Sequence, residues 1–135
     1  MFVGEYQIKF LGKGRIALPK RVRSLLSGNK VVLSRGFDNC IFGYEKKAWE
    51  EASVKQTEVP VTEERGRAIR RYLFSGAMVT KFDAQGRVVI PGFLLEYAQI
   101  GKKVTVIGAG DHFEIWDSDA WEKEIKLIES QKLSS

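Results

Sequence analysis

The chain has 135 residues, 44% of them hydrophobic, and 22 Lys/Arg against 17 Asp/Glu for a formal charge of +5. That length suits one domain or two interlocked half-domains, and the ordinary apolar fraction argues against disorder. No apolar run nears the ~20 residues of a membrane helix, no export signal is visible, and the single Cys40 can form no internal disulfide, so no membrane role and a reducing cytoplasm are expected.

Along the chain, strands are expected over 4–10 and 16–18, around the Gly12-Lys13-Gly14 turn. Pro19 ends the second strand and suits the first turn of a helix over 20–26, with Val22, Leu25 and Leu26 at helical spacing. Gly28-Asn29 stops that helix, and strands over 30–34 and 39–44 follow, joined by a turn at Arg35-Gly36-Phe37-Asp38. A helix begins at Ala48-Trp49. Pro60 breaks the connection, and Thr62 can cap a further helix over 63–74, with Ile69, Tyr72 and Leu73 as its apolar stripe and Arg67, Arg70 and Arg71 opposite. The same order then returns: strands over 77–82 and 88–90, Pro91, a short helix over 93–98, and strands over 103–107 and 112–116. The last helix is capped by Asp117 or Ser118 and runs to about 129, and 131–135 reads as a frayed tail.

This return is an internal repeat. Lys9-Phe-Leu-Gly-Lys-Gly-Arg-Ile-Ala-Leu-Pro19 aligns with Lys81-Phe-Asp-Ala-Gln-Gly-Arg-Val-Val-Ile-Pro91, and the offset holds to Ala48-Trp49-Glu50 and Ala120-Trp121-Glu122. One copy, four short strands and a two-turn helix, buries too little surface to stand alone. Two copies paired about a pseudo-twofold axis can share one barrel-like core. The fold class is therefore α+β, with a first module over 4–48, a connecting helical segment over 49–75, a second module over 76–120, and a C-terminal helix and tail over 121–135. The two modules differ in charge. Residues 1–48 carry ten Lys/Arg against three carboxylates, whereas 76–135 carry seven against nine. A basic half points to a polyanion such as nucleic acid, or to no more than a solvated face.

Catalysis is poorly supported, and neither a cofactor nor a metal is expected. His112 is the only histidine, so any Ser-His-Asp arrangement has to use it. Its place at a strand start reads as a turn or sheet edge. It also aligns with Cys40 in the repeat, which favours packing for both. No Cys/His cluster has zinc spacing, and no Gly-Lys-Ser/Thr follows the glycine turns. Trp49 and Trp121 can stack on bases, but a large ring between strand and helix more simply closes a core, and Trp116, which aligns with Tyr44, reads the same way. Arg15 and Arg87 stand apart. Asp83 can orient Arg87 across its turn, while Leu11 in the matching place cannot serve Arg15, which has Lys13 nearby. Residue chemistry leaves two readings of these loops, a DNA or RNA contact or a purely structural turn.

The Asp83-Ala-Gln-Gly-Arg87 hairpin with Ile90-Pro91 resembles the Asp-x-x-x-Arg signature of the MraZ family of bacterial transcriptional regulators, which are built from two SpoVT/AbrB-like modules. Met1-Phe-Val-Gly4, Gly14–Pro19, Arg70-Arg-Tyr-Leu-Phe-Ser-Gly-Ala77 and Phe113-Glu-Ile-Trp116 extend the likeness collinearly. The resemblance implies a double-split β-barrel flanked by helices, a ring-like homo-oligomer, and sequence-specific binding of double-stranded DNA at short repeats upstream of the cell division and cell wall operon. By the same analogy the protein is cytoplasmic and nucleoid-associated, Arg15 and Arg87 contact DNA, and Asp83 shapes the second loop. Lys13, Lys20, Arg21 and Arg23 are added as phosphate contacts on charge alone. Leu11 departs from the family pattern, which carries an aspartate in both loops. The alternative is an AbrB-type antitoxin or protein-interaction module that reads no operator of its own.

Overall fold

The structure is a computed structural model and describes residues 1–133. In chain order the elements are β1 (Glu5–Lys9), β2 (Arg15–Ala17), α1 (Lys20–Arg23), β3 (Lys30–Arg35), β4 (Ile41–Tyr44), α2 (Lys46–Gln56), α3 (Glu64–Ser75), β5 (Ala77–Lys81), β6 (Arg87–Val89), α4 (Gly92–Tyr97), β7 (Lys103–Gly108), β8 (Phe113–Asp117) and α5 (Ser118–Leu127). The class is α+β. β1, β7, β8, β4, β3 and β5 form one six-stranded antiparallel sheet in that order, and β2 and β6 form a separate two-stranded ribbon.

The strand order shows how the two copies interlock. β1 does not pair within its own copy; it pairs with β7 of the second, with Tyr6 opposite Val106. β5 reciprocates on β3, with Val32 opposite Val79. Replacing every strand by its repeat counterpart turns the order end for end and leaves it otherwise unchanged. Each copy thus covers an edge that the other would expose, and unpaired strand edges are costly to leave open. The ribbon repeats the exchange. Leu18 N–H donates to Gly86 O at 2.8 Å, and Ile90 N–H donates to Gly14 O at 2.7 Å.

Burial follows the same pairing. Ile16, Leu18, Val22 and Leu26 of the first copy, and Val88, Ile90, Leu94 and Ala98 at the equivalent places of the second, are all buried in one cluster with Val31, Leu33, Ile41, Val104, Val106, Phe113 and Ile115. A smaller cluster of Cys40, Trp116 and Trp121 lies under α5.

Several element boundaries differ from the sequence reading. Pro19 and Pro91 stand just outside their helices in extended conformation (ψ 144° and 139°), and their carbonyls accept the first helical N–H groups. α1 is a single turn and ends at Arg23. α2 starts at Lys46, because the Glu45 carboxylate accepts the Lys47 N–H. Thr62 does not cap α3; Glu63 holds that place and makes no side-chain bond there. The connection is held instead by Arg70, which donates to Thr57 O and Val59 O, so Arg70 is not a solvated face residue. Ser134 and Ser135 of the expected tail lie outside the described residues, while Gln131 and Lys132 belong to a π-helical turn, Ile128–Lys132, continuing α5. Among the described residues no helix is long and apolar enough to cross a membrane.

Ile16 is fully buried at the ribbon centre opposite Val88. Ile16→Ala is expected to lower the unfolding free energy by about 2–5 kcal/mol. Because both copies share the core, urea unfolding followed by fluorescence and by circular dichroism should still show one coincident transition. Two separated transitions would mean that the copies fold independently.

Candidate nucleic-acid interface

The ribbon places both hairpin arginines on one surface. Arg15 pairs with Val89, Ile16 with Val88 and Ala17 with Arg87. Side chains alternate along a strand, so Ile16 and Val88 enter the core while Arg15, Ala17, Arg87 and Val89 face outward. Arg15 and Arg87 are diagonal neighbours on that face, about 7–8 Å apart by strand geometry. Their loops lie at opposite ends of the ribbon, because the strands run antiparallel.

The second loop is built around Asp83. Its Oδ1 accepts the Gln85 and Arg87 N–H groups at 3.0 and 2.9 Å, and its Oδ2 accepts Arg87 Nε–H at 2.8 Å. Arg87 Nη2 also donates to Gln85 Oε1 at 3.1 Å. The guanidinium is thereby aimed while remaining half exposed, and its Nη1 has no partner among the described residues. The Arg87 N–H, then its guanidinium, hold the Asp83 carboxyl below the usual carboxylate range. Arginine fixed in this way can present its free edge as a fork to a phosphate or to guanine.

The first loop solves the same turn without a carboxylate. Gly12, Lys13 and Gly14 all take positive φ (84°, 52° and 74°), whereas in the second loop only Gly86 does. Backbone permissiveness replaces the aspartate brace. Leu11 is exposed, Lys13 projects from the tip, and among the described residues Arg15 makes no side-chain hydrogen bond, with its Nε buried and unpartnered.

The basic helix of the first copy does not lie beside the first loop. The ribbon carries the chain across, so α1 meets the second loop, and Lys20, Arg23, Ser24, Asp83 and Ala84 line one open groove. Arg23 Nη1 donates to Ala84 O at 3.0 Å. Lys20 and Arg21 are exposed and without ion pairs among the described residues. The reciprocal helix α4 brings Leu95, not a cation, against Gly14. The charge difference between the halves holds along the chain; in space the swap carries the first-copy charge on α1 to the second-copy loop. Sequence reasoning also missed Gln85 and the Ala84 carbonyl. Aligning Arg23 with Leu95 in the repeat was the available signal.

His112 and Cys40 do share a region, without forming a catalytic group. The His112 ring lies 4.3 Å from Phe42 and 5.4 Å from Tyr44, centroid to centroid, with Nδ1 on Asp111 and Nε2 on Glu114. Glu114 also accepts Trp116 Nε1–H. Burial disfavours charge on His112, but the bonds to Glu114 and Asp111 outweigh it and raise its pKa; burial likewise opposes the Glu114 charge, and His112 and Trp116 outweigh it, lowering its pKa. Burial pushes the Cys40 thiol far up, beyond the reach of thiolate chemistry. Trp121 is buried with Nε1–H on Glu5, whereas Trp49 is only half buried, edge-on to Phe74. Among the described residues no group of His, Cys, Asp and Glu is arranged to hold a metal ion.

Two measurements check this geometry. Asp83→Ala should speed amide exchange at Gln85 and Arg87 while leaving β7 and β8 protected. In wild type the same order should fade as pH falls below about 4, because a depressed carboxylate pKa contributes above the unfolded value and is lost on protonation. The His112–Glu114 pair runs oppositely on its alkaline side. A raised histidine pKa contributes fully below the ordinary histidine value of 6.5 and is lost as pH rises through the folded value. Urea titrations from about pH 6 to about pH 8 should show wild type losing more stability than His112→Gln.

The MraZ family, described as "MraZ protein, putative antitoxin-like", matches residues 1–72 and again residues 73–135. A protein named Transcriptional regulator MraZ from Roseiflexus castenholzii is 39% identical over 130 residues, covering 96% of this chain and 90% of that one. Proteins of the same name from Halothermothrix orenii and Moorella thermoacetica are 43% and 42% identical, over 90% and 97% of this chain and 84% and 91% of their own lengths. Two consecutive family matches spanning the repeat, and relatives alike over nearly the whole chain, establish that the chain belongs to the MraZ family.

Proposed function

We propose that the protein is a transcriptional regulator that binds double-stranded DNA through the outer face of the β2–β6 ribbon, at short repeats upstream of the cell division and cell wall operon. The observation that carries this reading is the placement of Arg15 and Arg87 as diagonal neighbours on the outer face of the ribbon, with Arg87 already oriented by Asp83. The regulator names of the relatives support it. Family membership argues against an enzyme, and the proposed function needs no cofactor.

In this reading Arg87 reads a base edge, and Arg15 and Lys13, on the glycine-rich loop, take backbone phosphates. Lys20 adds a phosphate contact beside the second loop, and Arg21, which lines a separate groove with Phe2 and Tyr6, adds another. The palindromic strand order supports reading the sheet and ribbon as a double-split β-barrel of two modules, 4–48 and 76–120, related by a pseudo-twofold axis, with the helical segment 49–75 and the C-terminal helix and tail 121–135 flanking it. One subunit touches little DNA, so a ring-like homo-oligomer engaging several repeats would gain avidity. Such a protein works in the cytoplasm, at the nucleoid.

A second reading has a specific observation behind it. A groove of about 230 Å³ between α2, α3 and the sheet is lined by Tyr44, Trp49, Ile69, Tyr72 and Leu73, and the family description is antitoxin-like. A protein-interaction module predicts a partner retained on co-purification and no preference for the upstream DNA.

Band-shift titrations at several salt concentrations decide between them, using a duplex from the protein's own upstream region and a scrambled duplex. Arg87→Ala should lose about 1–3 kcal/mol of discrimination between the two duplexes. Arg15→Ala should weaken both and lower the salt slope by about one. Wild-type binding that ignores both salt and sequence sinks the proposal. An arginine whose loss melts the protein is structural.

A further inference from the structure

We propose that Arg23, on the first copy, is a positioning residue for the DNA-reading loop of the second copy, and is not one of its phosphate contacts. This inference rests on the DNA-binding reading above and adds a residue to it.

The geometry centres on one peptide unit. The carbonyl of the 84–85 peptide accepts Arg23 Nη1–H at 3.0 Å, and its N–H donates to Asp83 Oδ1 at 3.0 Å. The two ends of that peptide are therefore held from the two copies of the repeat, so it cannot rotate without breaking one bond or the other. The same Asp83 oxygen accepts the Arg87 N–H, and its partner oxygen takes Arg87 Nε–H. A change at the 84–85 peptide thus reaches the guanidinium that faces DNA.

The Arg23 stem does a second job. A Cβ on Gly86 would lie 2.4 Å from Arg23 Cδ and 2.7 Å from its Nε. The side chain occupies the space above the turn, and its Nε is buried there without a partner. The Nη1 bond and the stem packed over Gly86 both tie the side chain to the loop.

The first loop provides the internal control. There Leu11 replaces Asp83, and Leu95 replaces Arg23 at the equivalent helix position, packing 3.5 Å from the place a Gly14 Cβ would take. Packing over the glycine is kept at both loops. The two hydrogen-bonding clamps are present together at one loop and missing together at the other, where three successive positive φ angles form the turn instead. A paired presence and paired absence is what two parts of one device produce.

Arg23→Leu installs the residue that the repeat uses at the other loop, and so removes the clamp while keeping the packing. The expected result is a fall of about tenfold in discrimination between upstream and scrambled duplexes, within the range one bidentate base contact supplies. The salt slope should stay unchanged, and amide exchange at Gln85 and Arg87 should speed up in the free protein. Arg23→Lys keeps the charge without the planar fork, and should also lose discrimination. Equal weakening on both duplexes with a salt slope reduced by about one identifies a phosphate contact and overturns the proposal. So does a lysine variant with wild-type discrimination and exchange. If wild type itself shows no sequence preference, the DNA reading fails, and the exchange data on the free protein still report whether the clamp exists.

Discussion

Ile16 and Val88 face each other across a ribbon only three residues long, and the rest of the molecule is arranged around that contact. The reciprocal bonds from Leu18 to Gly86 and from Ile90 to Gly14 tie the end of each short strand to the turn of the other copy. A single copy has too little apolar surface and two open strand edges. Exchange with a second copy closes both deficits at once, because β1 finds β7, β5 finds β3, and equivalent apolar residues from each copy fill one core. The proposed DNA-binding face is a by-product of this packing. Once Ile16 and Val88 point inward, strand alternation turns Arg15 and Arg87 outward on the same face.

Two loops of shared ancestry then reach the same turn by different physics. One uses a carboxylate that binds two backbone N–H groups and a guanidinium, so its shape is specified by hydrogen bonds. The other uses residues at positive φ and leaves its cations unbraced. A braced arginine has less entropy to lose on contacting a base edge, whereas an unbraced one adapts to a phosphate wherever it lies. The division of labour proposed between Arg87 and Arg15 follows from that difference. Strand exchange, by contrast, is what brings Lys20 and Arg23 to the end of the ribbon that carries the aspartate.

Away from the ribbon, repeat symmetry breaks where the environments differ. Cys40 and His112 are equivalent in the repeat, yet one is a fully buried inert thiol and the other bridges two carboxylates between aromatic rings. Trp121 is sealed beneath α5 against Trp116, while Trp49 borders the groove that α3 forms over α2. Among the described residues no helix follows α5 as α3 follows α2, so equivalent tryptophans meet different neighbours.

Much of this was legible in the amino-acid order, because local chemistry decides it. The period of the repeat, the alternation around Ile16 and Val88, the prolines that end the ribbon strands, and the Asp83–Arg87 spacing are all short-range features. They determine the elements, the two arginines and the brace on one of them. Only the tertiary structure decided which copy each element serves. Strand exchange places α1 over the second loop and α4 over the first, so a charge count along the chain could not say which loop the basic residues of α1 would meet. Nothing within a few residues of Arg23 encodes that its partner is the Ala84 carbonyl, 61 positions away. That contact exists because a copy with an uncovered strand edge gains most by folding across its twin.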